Sequence, residues 1–307
     1  MKDTISLLEQ ASYEVRGEER SYKPQINDPD IFLKILRPQE IPILVCDGAY
    51  DIGITGLDWV LETGVDVEVL AKLGYGRVDL VLACPKWFNV NTADELLRWK
   101  LSEEGVFRVS TEYLNLASEY LRSLDSYREL VGKEPPTIIT PWWRRKGAEE
   151  VEIFLSFGAT EAKPPEDADA VFDNMSTGIT LYQNNLKVVG RALTSEAVLI
   201  ANKESLRSWK REKILDVKTL LKGVVDARTR LHIFVNVSEE NLPKLLEVLP
   251  ALKGPTIAPL SRKGWYSVNT VVDRRELFRI MAMIRKLAQG LVVHEPRQVL
   301  LLDEGGE

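Results

Sequence analysis

The chain has 307 residues, 45% of them hydrophobic, which is long and apolar enough for two or three domains with cores of their own. Its net charge of -6 excludes a nucleic-acid binder working through a broad basic surface, and no window approaches the roughly 20 apolar residues of a membrane span. The two cysteines, Cys46 and Cys84, are too far apart for a C-x-x-C zinc site and read as packing residues, while both histidines, His232 and His294, lie in the last quarter, so Ser-His-Asp and His-metal chemistry are excluded elsewhere.

A helix starts almost at Met1, and its acids stand where a signal peptide would be apolar, so the expected location is cytoplasmic. Short apolar runs then alternate with helical patterns. Strands are predicted at Ile31–Ile35, Asp51–Thr55, Val67–Leu70, Val78–Ala83, Phe107–Ser110, Val151–Leu155, Asp169–Asp173, Leu186–Ala192 and Ala197–Ala201. Helices are predicted at Gln39–Cys46, Ala93–Leu101, Glu112–Leu121 and Ile179–Asn184, with W-W-R-R-K (Trp142–Lys146) an exposed loop whose tryptophans pack. This alternation is the signature of an α/β architecture. A long charged helix, Ser205–Lys222, leads into a smaller β-α-β-β-α-β pattern: a strand at Leu231–Val237, a helix at Glu240–Leu249, a strand at Trp265–Val272, a helix at Arg275–Leu287 and two short apolar runs. That order suits a ferredoxin-like module.

The most informative stretch is D-A-V-F-D-N-M-S-T-G-I-T-L, Asp169–Leu181. A strand breaks at Ser-Thr-Gly and resumes as a helix, so the amides of Gly178, Ile179 and Thr180, with the hydroxyls of Ser176, Thr177 and Thr180, suit a phosphate. The carboxylates Asp169 and Asp173 would face ribose hydroxyls or an oxygen-ligated Mg2+ ion. An ordinary helix N-cap is the plainer reading of the turn by itself. D-I-G-I-T-G-L-D, Asp51–Asp58, repeats the strand-turn-helix logic. Tyr75 and Arg77, in the glycine-bracketed L-G-Y-G-R, suit either stacking on a base and pairing with a phosphate or a plain surface turn. Arg16, Arg20 and Lys23 suit phosphate contacts or a solvated charge run.

These segments in this order, with R-G-E-E-R-S-Y, S-T-E-Y, G-A-T-E (Gly158–Glu161) and P-A-L-K-G-P-T-I-A-P-L (Pro250–Leu260), resemble the long form of the ATP phosphoribosyltransferases. The resemblance implies two catalytic lobes of the type II periplasmic-binding-protein kind, residues 1–90 with 182–212 and residues 91–181, crossing near 90 and 182. An ACT-like regulatory domain, 213–307, would follow. It implies condensation of ATP with phosphoribosyl pyrophosphate, with Mg2+ present and pyrophosphate leaving. Ser176–Thr180 and Glu161 would bind phosphoribosyl pyrophosphate, Asp169 and Asp173 would be catalytic, and Arg20, Asp51, Gly53, Thr55, Gly56, Tyr75 and Arg77 would serve the nucleotide. Histidine, as inhibitor, would meet Asn236, Leu252 and Thr256 in a homo-oligomer ranging from dimer to hexamer. Family members usually open with a strand and a Lys-Gly-Arg-Leu loop ahead of the helix with which this sequence starts. The alternative expectation is therefore a catalytically weak or inactive ligand-binding paralogue.

Overall fold

The computed structural model describes residues 1–17, 21–249, 254–300 and 302. They form two compact units, one of Leu36–Arg207 and one of Met1–Ile35 with Ser208 onward.

The Leu36–Arg207 unit holds two sheets. The larger has seven strands in the order Leu186–Ser195, Val78–Pro85, Ala170–Met175, Phe107–Thr111, Ala148–Leu155, Pro136–Ile139 and Arg144–Arg145. Ala170–Met175, Phe107–Thr111, Ala148–Leu155 and Pro136–Ile139 run parallel, whereas Val78–Pro85 opposes Ala170–Met175 and Leu186–Ser195 opposes Val78–Pro85. From Leu80 on, the run V-D-L-V-L-A-C-P is apolar and buried because this strand is covered on both faces, while Asp79 near its start pairs with Arg191. Leu80, Leu82 and Cys84 enter one core with Phe172 and the helices Ala93–Glu104 and Leu114–Ser123; Val81 and Ala83 enter another with Leu181 and Leu186. The smaller sheet places Ala197–Ala201 between Ile52–Gly56 and Glu68–Lys72, all antiparallel. The chain thus passes between the sheets at the Leu73–Arg77 link and at Glu196, rather than near residues 90 and 182, because Val78–Pro85 and Leu186–Ser195 both pair within the larger sheet.

In the other unit, the predicted β-α-β-β-α-β order closes into a four-stranded antiparallel sheet: Thr256–Pro259, Trp265–Asp273, Arg230–Ser238, Ala288–His294. This is the ferredoxin-like arrangement. Ile233, Val235 and Val237 point to the face packed by Leu245, Leu277, Ile280 and Ile284, while His232, Phe234 and Asn236 alternate to the opposite face.

Several sequence expectations change. Ile31–Ile35 forms no strand: Ile35 N–H donates to the Tyr22 carbonyl at 2.9 Å, Phe32 is exposed, and no neighbouring ladder fixes the segment. The charged connector resolves into a 3-10 turn at Ser205–Arg207 and a helix at Arg211–Ala227. In W-W-R-R-K, Arg144–Arg145 is a short edge strand, and Trp142 and Trp143 are exposed, Trp142 meeting only the equally exposed Phe157 edge-on in a ring contact at 5.5 Å. Cys84 is buried, and Cys46 is half-buried.

Phe172 is fully buried in the central core with its ring 5.6 Å from that of Tyr120. Phe172→Ala is expected to lower unfolding stability by about 3–5 kcal/mol in a urea titration, from lost burial and the cavity left behind.

Candidate functional site

The parallel strands of the larger sheet end at one edge, and ligands of open α/β sheets bind outside such carboxyl ends. Three connections meet there. After Phe107–Thr111 come Glu112 and Tyr113; after Ala148–Leu155 comes Gly158–Glu161; after Ala170–Met175 comes the Ser176–Gly178 turn. Gly158 N–H donates to Glu112 Oε1 at 2.7 Å, and the buried Thr160 hydroxyl donates to Asp173 Oδ2, with Glu161 beside it on the same 3-10 turn.

Asp173 is half-buried at this edge. Its Oδ1 accepts from the Asn174 backbone at 2.6 Å and from Asn174 Nδ2 at 3.2 Å. Burial raises its pKa to about 6; Thr160 and the Asn174 amide oppose that shift, and Glu161 and Glu112 add to it. Ser176, Thr177, Ile179 and Thr180 are exposed beyond it. Gly178 sits at φ 76°, a left-handed conformation that suits glycine, and opens the helix Ile179–Gln183. The first amides of that helix have no acceptor within it, and no side chain caps them.

Asp169 does not belong to this site. It precedes the same strand, so an extended chain at about 3.3 Å per residue places it roughly 13 Å from Asp173, at the opposite edge. There it is buried in an ion cluster. It accepts from Arg108 through the backbone N–H at 2.7 Å, Nε at 3.3 Å and Nη2 at 3.1 Å, and it pairs with Lys100 Nζ at 3.0 Å. Its carboxylate is committed to structure.

The nucleotide candidates separate in the same way. Thr55 is buried with its hydroxyl donating to the Pro38 carbonyl at 2.8 Å, and a Cβ on Gly53 would lie 2.4 Å from Ile41 of the helix Ile41–Cys46, so both residues serve packing. Asp51 lies at the other end of the strand Ile52–Gly56, accepting from the Ser205 hydroxyl at 2.6 Å. Gly56 caps the helix Leu57–Thr63, and a Cβ there would overlap the Asp58 carboxylate at 2.1 Å. Tyr75, half-buried, and Arg77, exposed, lie in the link between the sheets, where the Tyr75 carbonyl accepts from Ala197 N–H at 2.9 Å. Arg20 and Leu252 lie outside the described residues. Asn236 and Thr256 are both exposed on the helix-free face of the ferredoxin-like sheet, connected through the registers Asn236↔Ser267 and Asn269↔Thr256.

Sequence reasoning missed a buried group beside the site. Asp58 accepts from the Tyr113 hydroxyl and the Ser195 hydroxyl, each at 2.7 Å, and Asn174 Nδ2 donates to the Tyr113 oxygen at 3.1 Å. Trp59 stacks on Tyr113 at 4.4 Å. Burial and the Asp58 carboxylate raise the Tyr113 pKa far above its ordinary range, so the phenol keeps its proton. The signals were present in L-D, S-T-E-Y and D-N, but only the fold brings them together.

Two interleaved α/β sheets, an anion-suited turn at the carboxyl edge and a ferredoxin-like domain define a mixed α/β protein with an appended small domain. Among the described residues no helix is long and apolar enough to cross a membrane. The model of the ATP phosphoribosyltransferase family matches residues 37–223, and the family's C-terminal domain matches residues 227–295. ATP phosphoribosyltransferase of Pelotomaculum thermopropionicum is 32% identical over 301 residues, covering 95% of this chain and 93% of the relative. That of Thermodesulfovibrio yellowstonii is 32% identical over 304 residues, covering 97% and 94%. A chain of the ATP phosphoribosyl transferase (HisG:HisZ) complex from Thermotoga maritima shares the fold, with a TM-score of 0.55 and 23% identity over 73% of this chain and 93% of that one. The chain belongs to the ATP phosphoribosyltransferase family, whose members join a phosphoribosyl group to ATP at the first step of histidine biosynthesis.

Asp169→Asn is expected to cost about 3–5 kcal/mol of stability, because Lys100 and Arg108 lose a buried counter-charge. Denaturant titration would read that loss, with the folded fraction keeping its turnover; a stable Asp169→Asn protein with no turnover would restore Asp169 to the site.

Proposed function

We propose that the Ser176–Thr180 turn binds the 5-phosphate of phosphoribosyl pyrophosphate, that Asp173 accepts hydrogen bonds from the ribose hydroxyls, and that Glu161 borders the same sugar. The convergence of Thr160, Glu161, Asp173 and the Ser-Thr-Gly turn at one carboxyl edge carries this reading. Tyr75, Arg77 and the Gly56 turn serve the nucleotide side of the cleft. N1 of adenine attacks the anomeric carbon as pyrophosphate departs. The protein's task is to align two substrates and to place a negative group beside an oxocarbenium-like ribose, so neither a covalent nucleophile nor an imidazole base is required.

Among the described residues no three His, Cys, Asp or Glu side chains converge as a metal cage. Mg2+, when bound, would be carried by the pyrophosphate oxygens and would supply charge neutralisation to the leaving group, which suits a hard cation that retains water and few protein ligands. The enzyme works in the cytoplasm as a homo-oligomer, from dimer to hexamer.

Mixing the chain with ATP, phosphoribosyl pyrophosphate and Mg2+ is expected to release pyrophosphate, and no release would favour a ligand-binding paralogue. Asp173 must be ionised to accept from ribose, so kcat/KM is expected to fall as pH drops through about 6. Asp173→Asn is expected to lose roughly hundredfold in turnover along with that acid limb, the scale of deleting one group that stabilises a transition state. Because the folded state holds the Asp173 proton to higher pH than the unfolded chain, wild-type stability falls as pH rises from about 4 to about 6. Asp173→Asn is accordingly expected to melt above wild type at pH 8.

Histidine binds on the helix-free sheet face that carries Asn236 and Thr256, in support of a regulatory role for the ferredoxin-like domain. Calorimetric titration is expected to give a heat of histidine binding that Asn236→Ala and Thr256→Ala weaken; no heat and no inhibition would remove this assignment.

A further inference from the structure

We infer that Asn174 is a positioning residue: its side-chain amide ties the Asp173 carboxylate to the buried Asp58–Tyr113 pair, holding the phosphoribosyl cradle in register with the Gly56–Asp58 turn of the smaller sheet. The inference rests on the assignment of Asp173 to the ribose.

The direction of each hydrogen bond in this chain is forced. A carboxylate only accepts, so Tyr113 spends its one proton on Asp58 Oδ2 at 2.7 Å and has only lone pairs left for Asn174. Asn174 Nδ2 supplies two N–H groups. One reaches the Tyr113 oxygen at 3.1 Å and the other reaches Asp173 Oδ1 at 3.2 Å. A side-chain amide is the neutral group of that size that donates in both directions. The ends of the chain are anchored differently. Asp58 is buried, bonded to Ser195 at 2.7 Å through its Oδ1, and its backbone N–H donates to the Ser195 oxygen at 2.9 Å. Asp173 is held on its other oxygen by Thr160.

Asn174 alternates to the strand face opposite Asp173, so without this side chain the Asp173 carboxylate keeps Thr160 and the Asn174 backbone N–H but loses its link to the Asp58–Tyr113 pair. The charged and titratable groups around it are Glu161 and Glu112 on that side, and Tyr113 and Asp58 behind Asn174. All the carboxylates disfavour its ionised form, and each N–H donor favours it.

Asn174→Ala and Tyr113→Phe test this, because the first removes the link and the second breaks it one residue away while keeping the ring on Trp59. Both are expected to raise KM for phosphoribosyl pyrophosphate severalfold. Both should also move the acid limb of kcat/KM upward by a similar one to two pH units, roughly the worth of one hydrogen bond to a charged group. A double variant shifted no further than either single variant supports a shared chain. A lowered melting temperature with the limb unmoved in both variants would make Asn174 merely structural and overturn the inference. Asp173→Asn keeps the two layers apart. If it retains the wild-type limb, the Asp173 assignment falls and takes this inference with it; if it loses the limb while the other two variants leave theirs in place, only the inference falls.

Discussion

The arrangement of this enzyme depends on one buried carboxylate. Asp58 starts a helix that follows a strand of the smaller sheet, yet its oxygens accept from Tyr113, at the head of a helix of the larger sheet, and from Ser195, at the end of an edge strand of the larger sheet. Each hydrogen bond to a charged group is worth about 1.5–3 kcal/mol, and an unpartnered charge at this burial would cost several times that. The two sheets are therefore held together by a polar requirement as much as by apolar contact. One turn further along the same helix, Glu62 accepts from the backbone amides of Asn115 and Leu116, each at 2.9 Å, filling the amides that the start of the helix Leu114–Ser123 leaves open. That pair of clamps makes the interface between the helices a fixed seam, around which the cleft is organised.

The strand Ala170–Met175 divides labour between its ends. Asp169, at the amino edge, is surrounded by Lys100 and Arg108 and stabilises the sheet; Asp173, at the carboxyl edge, is surrounded by Glu161 and Glu112 and is made uncomfortable there. Two identical side chains on one strand thus carry opposite energetic signs. The one that costs stability is the one proposed to meet the ribose, as is common where binding groups are held ready.

Much of this was legible in the chain. The continuous apolar run Val78–Ala83 and the alternating Leu231–Val237 marked strands, and the Ser-Thr-Gly break marked the end of the cradle strand. Asp169 and Asp173 were readable as a pair of carboxylates on one strand ahead of that break. Alternation says nothing about which edge of the sheet a residue reaches, and so it could not separate the ion cluster from the site. Ile31–Ile35 has strand composition, but a strand exists only where a neighbour completes its ladder, and that is a tertiary fact. Asp58 was invisible for a related reason. Its partners Tyr113 and Ser195 come from distant parts of the chain, and only the missing Cβ of Gly56 leaves room for its carboxylate.

The smaller sheet has its last-made strand in the middle. Ile52–Gly56 and Glu68–Lys72 do not pair with each other; both pair with Ala197–Ala201. During synthesis these two edges leave the ribosome early and have no ladder until the whole larger sheet has followed them. One lobe must therefore form first, and the return strand then closes the other. Until it does, two unsatisfied β-edges and the apolar positions Val60 and Val45 behind them are open to chaperones or to other nascent chains. Late closure of long-range pairs is slow for reasons of loop entropy. The topology that lets a cleft be built from two interleaved lobes thus sets the interval in which this chain is most exposed to aggregation.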